Sequence, residues 1–180
     1  MMGRVRRSVA IVAGTGVLAA SMMVTSAPIA SAATCTVTNA TTGIASTSLQ
    51  AAVNAAAPGT TLRIAGSCKG NVTIGKRLTL LGVGTAPTLR GNGGRPLTIT
   101  AGPVTVDRLR ITGGIATNCF TAPAGVACGG GIASSARLTV KRSLIDGNLA
   151  SGSSVAHGGG ITIVTGGSLK LTSTTVADNN

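Results

Sequence analysis

Three aspartates, one histidine and four cysteines hold most of the reactive chemistry in these 180 residues, and there is no tryptophan or tyrosine. Glycoside hydrolysis needs one carboxyl group to donate a proton and a second to act as base or nucleophile. The carboxylates available are Asp107, Asp146 and Asp178. Two of them lie in copies of one repeat: Gly129-Gly130-Gly131-Ile132 leads to Asn148, and Gly158-Gly159-Gly160-Ile161 leads to Asn179. Aligning the copies sets Asp146 opposite Ala177 and Gly147 opposite Asp178. Asp146 and Asp178 thus become near neighbours on adjacent coils, the one candidate catalytic pair. The competing reading, which the spacing favours, is that each caps a turn through backbone amides.

The same alignment stacks Asp107 beside Lys141 and predicts a cross-coil ion pair, contributing at most ~1 kcal/mol if exposed. Arg108 and Arg142 stack at the next position, where a solvated like-charge pair, together with Lys141, offers contact to an anionic polymer. His157 stands alone before the second glycine triplet and reads as a solvated loop residue, with no partner for a base or metal ligand nearby in sequence. Asn148 and Asn179 occupy equivalent places and predict a stacked, hydrogen-bonded asparagine ladder. Gly82-Val83-Gly84 and Gly91-Asn92-Gly93-Gly94 lack a dinucleotide or phosphate-loop signature and read as turns.

Cys35, Cys68, Cys119 and Cys128 form an even set. In an exported chain this points to two disulfides, formally in any of three connectivities. Cys119–Cys128 would pin a short loop, and Cys35–Cys68 would tie the N-terminal segment to the first coil. No Cys-x-x-Cys spacing is present, so no zinc site or other metal is expected.

The elements that must position these residues are short. Leu49 to Ala57 has apolar residues at Leu49, Ala52, Val53 and Ala56, with Thr47 or Ser48 to cap it and Pro58-Gly59 to stop it. It predicts one small lid helix. From Thr60 onward the period changes to two, in Leu62/Ile64, Val72/Ile74, Leu78/Leu80, Leu97/Ile99, Val104/Val106 and Leu109/Ile111. Two-residue breaks at Asp107-Arg108, Lys141-Arg142 and Thr172-Ser173 act as corners that keep apolar side chains on one side. A repeat of such strands predicts a stacked all-β solenoid of about four coils, at about 60–87, 88–114, 131–148 and 160–180.

The N-terminus has a basic start at Arg4, Arg6 and Arg7, an apolar stretch from Val9 to Val24, and small residues at Ala30-Ser31-Ala32-Ala33. The stretch is shorter than the ~20 residues a bilayer span needs. It predicts a signal peptide over 1–33, a lead-in and capping helix over 34–59, and the solenoid over 60–180, with no membrane span after cleavage. Removing three arginines leaves 12 of the 15 Lys+Arg against three Asp, a mature net charge of +9. Scattered cations and a single aromatic residue, Phe120, give no platform for stacking bases, so nucleic acid is not expected as a partner.

The stretch from Ser48 to Gly82, beginning Ser-Leu-Gln-Ala-Ala-Val-Asn-Ala-Ala-Ala-Pro-Gly, resembles the N-terminal cap and first coil of secreted right-handed parallel β-helix proteins of the pectate-lyase-like superfamily. The Gly-Gly-Gly-Ile and Ile-x-x-Asn elements also resemble the repeats of chlamydial polymorphic outer membrane proteins, and the leader resembles that of a high-GC actinomycete. The resemblance covers about residues 45–180. Regular repeats with few ionisable groups point to a secreted or wall-associated β-helix with a binding or structural role and no cofactor, and the +9 charge points to acidic polysaccharide or another cell-wall polymer as its partner. The alternative that the resemblance implies is a polysaccharide lyase or glycoside hydrolase, or a fragment of one, the lyase holding Ca²⁺ through clustered acidic residues. The last coil carries no cap in the sequence, which predicts a longer natural product or end-to-end contact with a partner.

Overall fold

A computed structural model describes residues 34–119 and 122–180; the signal peptide expected over 1–33 lies outside the described residues. The chain enters with β1 (Thr36–Asn39) and β2 (Ala45–Ser46), an antiparallel pair, and helix α1 (Leu49–Ala55). It then visits three sheets in turn. The first cycle is β3 (Thr61–Ala65), β4 (Ser67–Lys69) and β5 (Val72–Ile74). The second is β6 (Leu78–Gly82), β7 (Thr88–Arg90) and β8 (Leu97–Ile99). The third is β9 (Val104–Asp107), β10 (Arg110–Thr112), the short β11 (Ile115–Ala116) and β12 (Val126–Cys128), and β13 (Ile132–Ser134). The fourth is β14 (Arg137–Lys141), β15 (Leu144–Asp146), β16 (Leu149–Ala150), β17 (Val155–His157) and β18 (Ile161–Ile163). β19 (Ser168–Thr172) and β20 (Thr175–Ala177) follow.

Each visit adds a parallel strand to the same sheet, which we call sheets I, II and III by their first members β3, β4 and β5, while β11–β16 and β12–β17 form two further two-stranded sheets. The all-β, mainly parallel expectation is met. Inward positions lie in register: Leu62, Leu80, Val106, Val140 and Leu171 in sheet I, and Cys68, Leu89, Ile111, Ile145 and Val176 in sheet II. Except for the exposed Leu171 and Val176, these residues and their sheet III counterparts merge into one core. Each fully buried Leu or Ile contributes ~1.5–3 kcal/mol, so Leu80→Ala in mid-stack costs ~2–5 kcal/mol.

Counting strands gives four full cycles and the start of a fifth, close to the four coils expected but with different boundaries. Sheets I and II each stack five of these parallel strands, and sheet III stacks four. The first expected coil, 60–87, contains one full cycle and the opening strand of the next, because β4 and β7 carry a single inward residue each, Cys68 and Leu89. With no apolar-x-apolar pair they leave no period-two signal. The helix also stops at Ala55, two residues short of the expected end, where Ala56 turns extended (φ −72°, ψ 136°). Its cap is Ser48, whose hydroxyl accepts from the Ala51 amide.

The two motifs of the repeat have one cause. Asn148 is buried; its Oδ1 accepts the Gly114 amide at 2.9 Å, and its Nδ2 donates to Ile111 O at 3.0 Å and Asn179 Oδ1 at 2.9 Å. The expected ladder is present. It presses against the third glycine of each triplet. A Cβ on Gly131 would lie 2.9 Å from Asn148 Nδ2, and one on Gly160 would lie 2.9 Å from Asn179 Nδ2. Real Cβ atoms do not approach so closely, so a turn holding the asparagine needs glycine opposite it.

Each of sheets I, II and III has its leading edge covered, by a different device in each. Antiparallel β1 pairs with β3 on sheet I. On sheet II, Cys35–Cys68 and a bridge from Thr34 to Ser67 cover β4. On sheet III the Gln50 side-chain amide acts as a surrogate peptide: Nε2 donates to Thr73 O at 3.2 Å, and Oε1 accepts Thr73 N at 2.8 Å. Lys76 Nζ donates to Asn54 O and Ala56 O at the end of α1. At the other end Leu169, Leu171 and Val176 are 40–44% exposed.

Candidate functional site

Strand alternation decides which side chains meet solvent. In sheet II the middle residue of each strand points inward, so the first and third point outward. The third positions run Lys69, Arg90, Thr112, Asp146 and Ala177. The first positions run Ser67, Thr88, Arg110, Leu144 and Thr175. Lys69 and Arg90 are therefore stacked like charges on neighbouring strands, ~4.8 Å apart at the backbone. Arg110 joins them one strand further on, in the adjacent file, and Arg108 sits at the corner leading into that strand. Lys69, Arg90, Arg108 and Arg110 are all exposed. This cationic face escaped the sequence reading because β4 and β7 did. The signal was there in Ser-Cys-Lys and Thr-Leu-Arg, each a lone apolar residue followed by a cation.

The one carboxylate on the face is Asp146, and Arg110 grips it with both forks: Nε to Oδ1 at 2.9 Å and NH2 to Oδ2 at 2.6 Å. The hydrogen bond from Arg110, more than its charge, holds the Asp146 carboxyl below its ordinary pKa, against the opposing pull of burial. Arg110 is raised in turn by Asp146. The expected turn-capping role for Asp146 is thus replaced by a side-chain ion pair. Asp178 aligns with Gly147 as expected, its carbonyl accepting the Gly147 amide at 3.1 Å, and its backbone is left-handed (φ 52°). It forms no ion pair among the described residues.

Asp107 lies opposite Lys141 in the ladder, as expected. The ion pair nevertheless goes to Arg142, whose NH2 donates to Asp107 Oδ2. The reason is backbone geometry. Arg108, Arg142 and Ser173 occupy equivalent corners, all with positive φ (55°, 46° and 48°). That conformation turns the Arg142 side chain back over the strand below, while the Lys141 side chain takes no acid. Of the corner pair, only Arg108 remains a free cation among the described residues. Asp107 Oδ1 is buried with no hydrogen-bond partner.

Both disulfides form, Cys35–Cys68 and Cys119–Cys128. The second belongs to a loop that packs Cys119, Cys128 and Val126 on Ala133, the one outward sheet III position occupied by alanine where Thr73, Thr98 and Thr162 stand in the other strands. His157 ends β17 opposite Cys128 and is exposed. No group of three or more metal-ligating side chains gathers among the described residues. The donor set therefore does not fit the Ca²⁺ of the lyase alternative: arginines hold Asp107 and Asp146, and Asp178 sits at a separate corner. No helix among the described residues is long and apolar enough to cross a membrane. Comparison with protein-family profiles, curated protein sequences and solved structures found no match.

Proposed function

We propose that this chain is an exported, non-catalytic right-handed parallel β-helix, similar to the pectate-lyase-like superfamily, that holds an anionic polymer outside the cell. The observation that carries the reading is the outer face of sheet II, where Lys69, Arg90 and Arg110, with Arg108 at the corner before them, face solvent against one carboxylate. Cations repeated at strand spacing suit a chain of regularly spaced anions, such as acidic polysaccharide or a wall phosphate polymer. Export is supported by the basic, apolar and small-residue pattern of the first 33 residues and by two disulfides.

The test is retention of the protein on immobilised polyuronate and on a polyphosphodiester, across a salt series. Lys69→Gln/Arg90→Gln/Arg108→Gln is expected to weaken binding by tenfold or more at low salt without lowering the melting temperature. Equal binding by the variant would refute the assignment of the face. The same polymers, assayed for chain cleavage with and without Ca²⁺, address the enzyme alternative: turnover lost in Asp146→Ala would establish it.

A further inference from the structure

A second cation differs in kind from those on the face. Arg95, at the turn before β8, is only 9% exposed, and burial lowers its pKa. Its guanidinium bonds neutral oxygens alone: Nε donates to Gly129 O at 2.7 Å, NH1 to Thr98 Oγ1 at 3.3 Å, and NH2 to Asn118 O at 2.7 Å and to Cys128 O. A buried charge is ordinarily paired, because desolvation costs several kcal/mol that neutral dipoles only partly offset. The chain has three acidic side chains, and none forms an ion pair with Arg95 among the described residues.

Arg95 lines a recess of about 280 Å³ with Asn71, Thr98, Thr117, Asn118 and Ile115. A guanidinium has five N–H groups, and four are engaged here, so one NH1 hydrogen remains. The Thr117 hydroxyl and the Asn118 side-chain amide also make no hydrogen bond to another described residue. The disulfide Cys119–Cys128 fixes the loop that presents Asn118 and the Cys128 carbonyl.

We propose that this recess is a site for a single oxyanion, a carboxylate or phosphate group carried on the bound polymer, with Arg95 supplying the charge and Thr117 and Asn118 the remaining donors. A charge-assisted contact to an anion would complete the hydrogen bonding of Arg95 and supply its missing counter-charge. The proposal deepens the polymer-binding reading by adding a pocket that selects one pendant group.

The test is titration of the whole chain with glucuronate, with inorganic phosphate and with chloride as control, followed through the Arg95 Nε–H and Asn118 amide NMR signals. Saturable shifts with glucuronate alone assign a carboxylate, and shifts with phosphate alone assign a phosphate. No saturable shift with either overturns the site. Arg95→Gln is expected to abolish the response of the Asn118 amide signal. Since that change also removes loop contacts, Thr117→Glu serves as the second variant. It places a carboxylate in the recess and is expected to weaken oxyanion binding at least tenfold with the fold retained. Unchanged binding by Thr117→Glu overturns the proposal. Polymer retention without small-anion binding would sink this site alone, whereas loss of both would sink the polymer reading as well.

Discussion

At the scale of single residues, Asn148 is the most consequential side chain outside the aliphatic core. Truncation in Asn148→Ala would leave the buried Gly114 amide and Ile111 carbonyl without their partner, at a cost of ~2–4 kcal/mol for two unsatisfied groups. Chemical denaturation would check this, and a loss under 1 kcal/mol would show that the ladder is ornamental. Asp146 behaves differently. Its depressed pKa means that the native state binds a proton less readily than the unfolded chain, so the stabilisation is present above the unfolded value of ~3.9 and fades as pH falls through the folded one. Because Arg110 is 51% exposed, solvent screening limits the pair to ~1 kcal/mol or less. Asp146→Asn is expected to lower stability slightly at neutral pH, with the difference from wild type shrinking below pH ~4. The asparagine ladder was legible because its two copies align in sequence. The partner of Asp107 was not, since the choice of Arg142 over Lys141 follows from a positive φ that no side-chain pattern announces.

At the scale of elements, α1 acts through its polar side chain as much as through its apolar face. Leu49 and Val53 bury against the core, while Gln50 supplies the edge of sheet III with a peptide-like partner. Gln50→Ala is expected to destabilise by ~1–2 kcal/mol, the sum of two hydrogen bonds to backbone. Hydrogen exchange should localise the change at the Thr73 amide, and an unaltered Thr73 exchange rate would rule out the edge-capping role. The position of the helix was readable from its 3.6 period and its stop at Pro58-Gly59. Its side-chain mimicry of a strand was invisible, because nothing in a sequence marks which polar residue will face an unpaired edge. The sheet II strands were the harder loss. A three-residue strand with one inward side chain carries no periodicity, so both the strand count and the cationic face that depends on it emerged only with the register.

At the scale of the whole molecule, three covered edges stand at the start of the stack and exposed Leu169, Leu171 and Val176 at the other end. If the proposed polymer reading holds, affinity should fall steeply with ionic strength, since Lys69, Arg90 and Arg108 are exposed cations that salt screens. The covered edges have a consequence for alignment too. Each strand copies the alignment of the one before it, and only the first cycle has its alignment dictated from outside, by β1, Gln50 and the Cys35–Cys68 bond. The register of the stack is therefore fixed from outside at one end, which constrains position and sets no order of folding, since a stack of repeats can nucleate at any coil. A shift in the alignment of the first cycle would displace every described strand paired on it, whereas a shift in β19 or β20 would displace no earlier one.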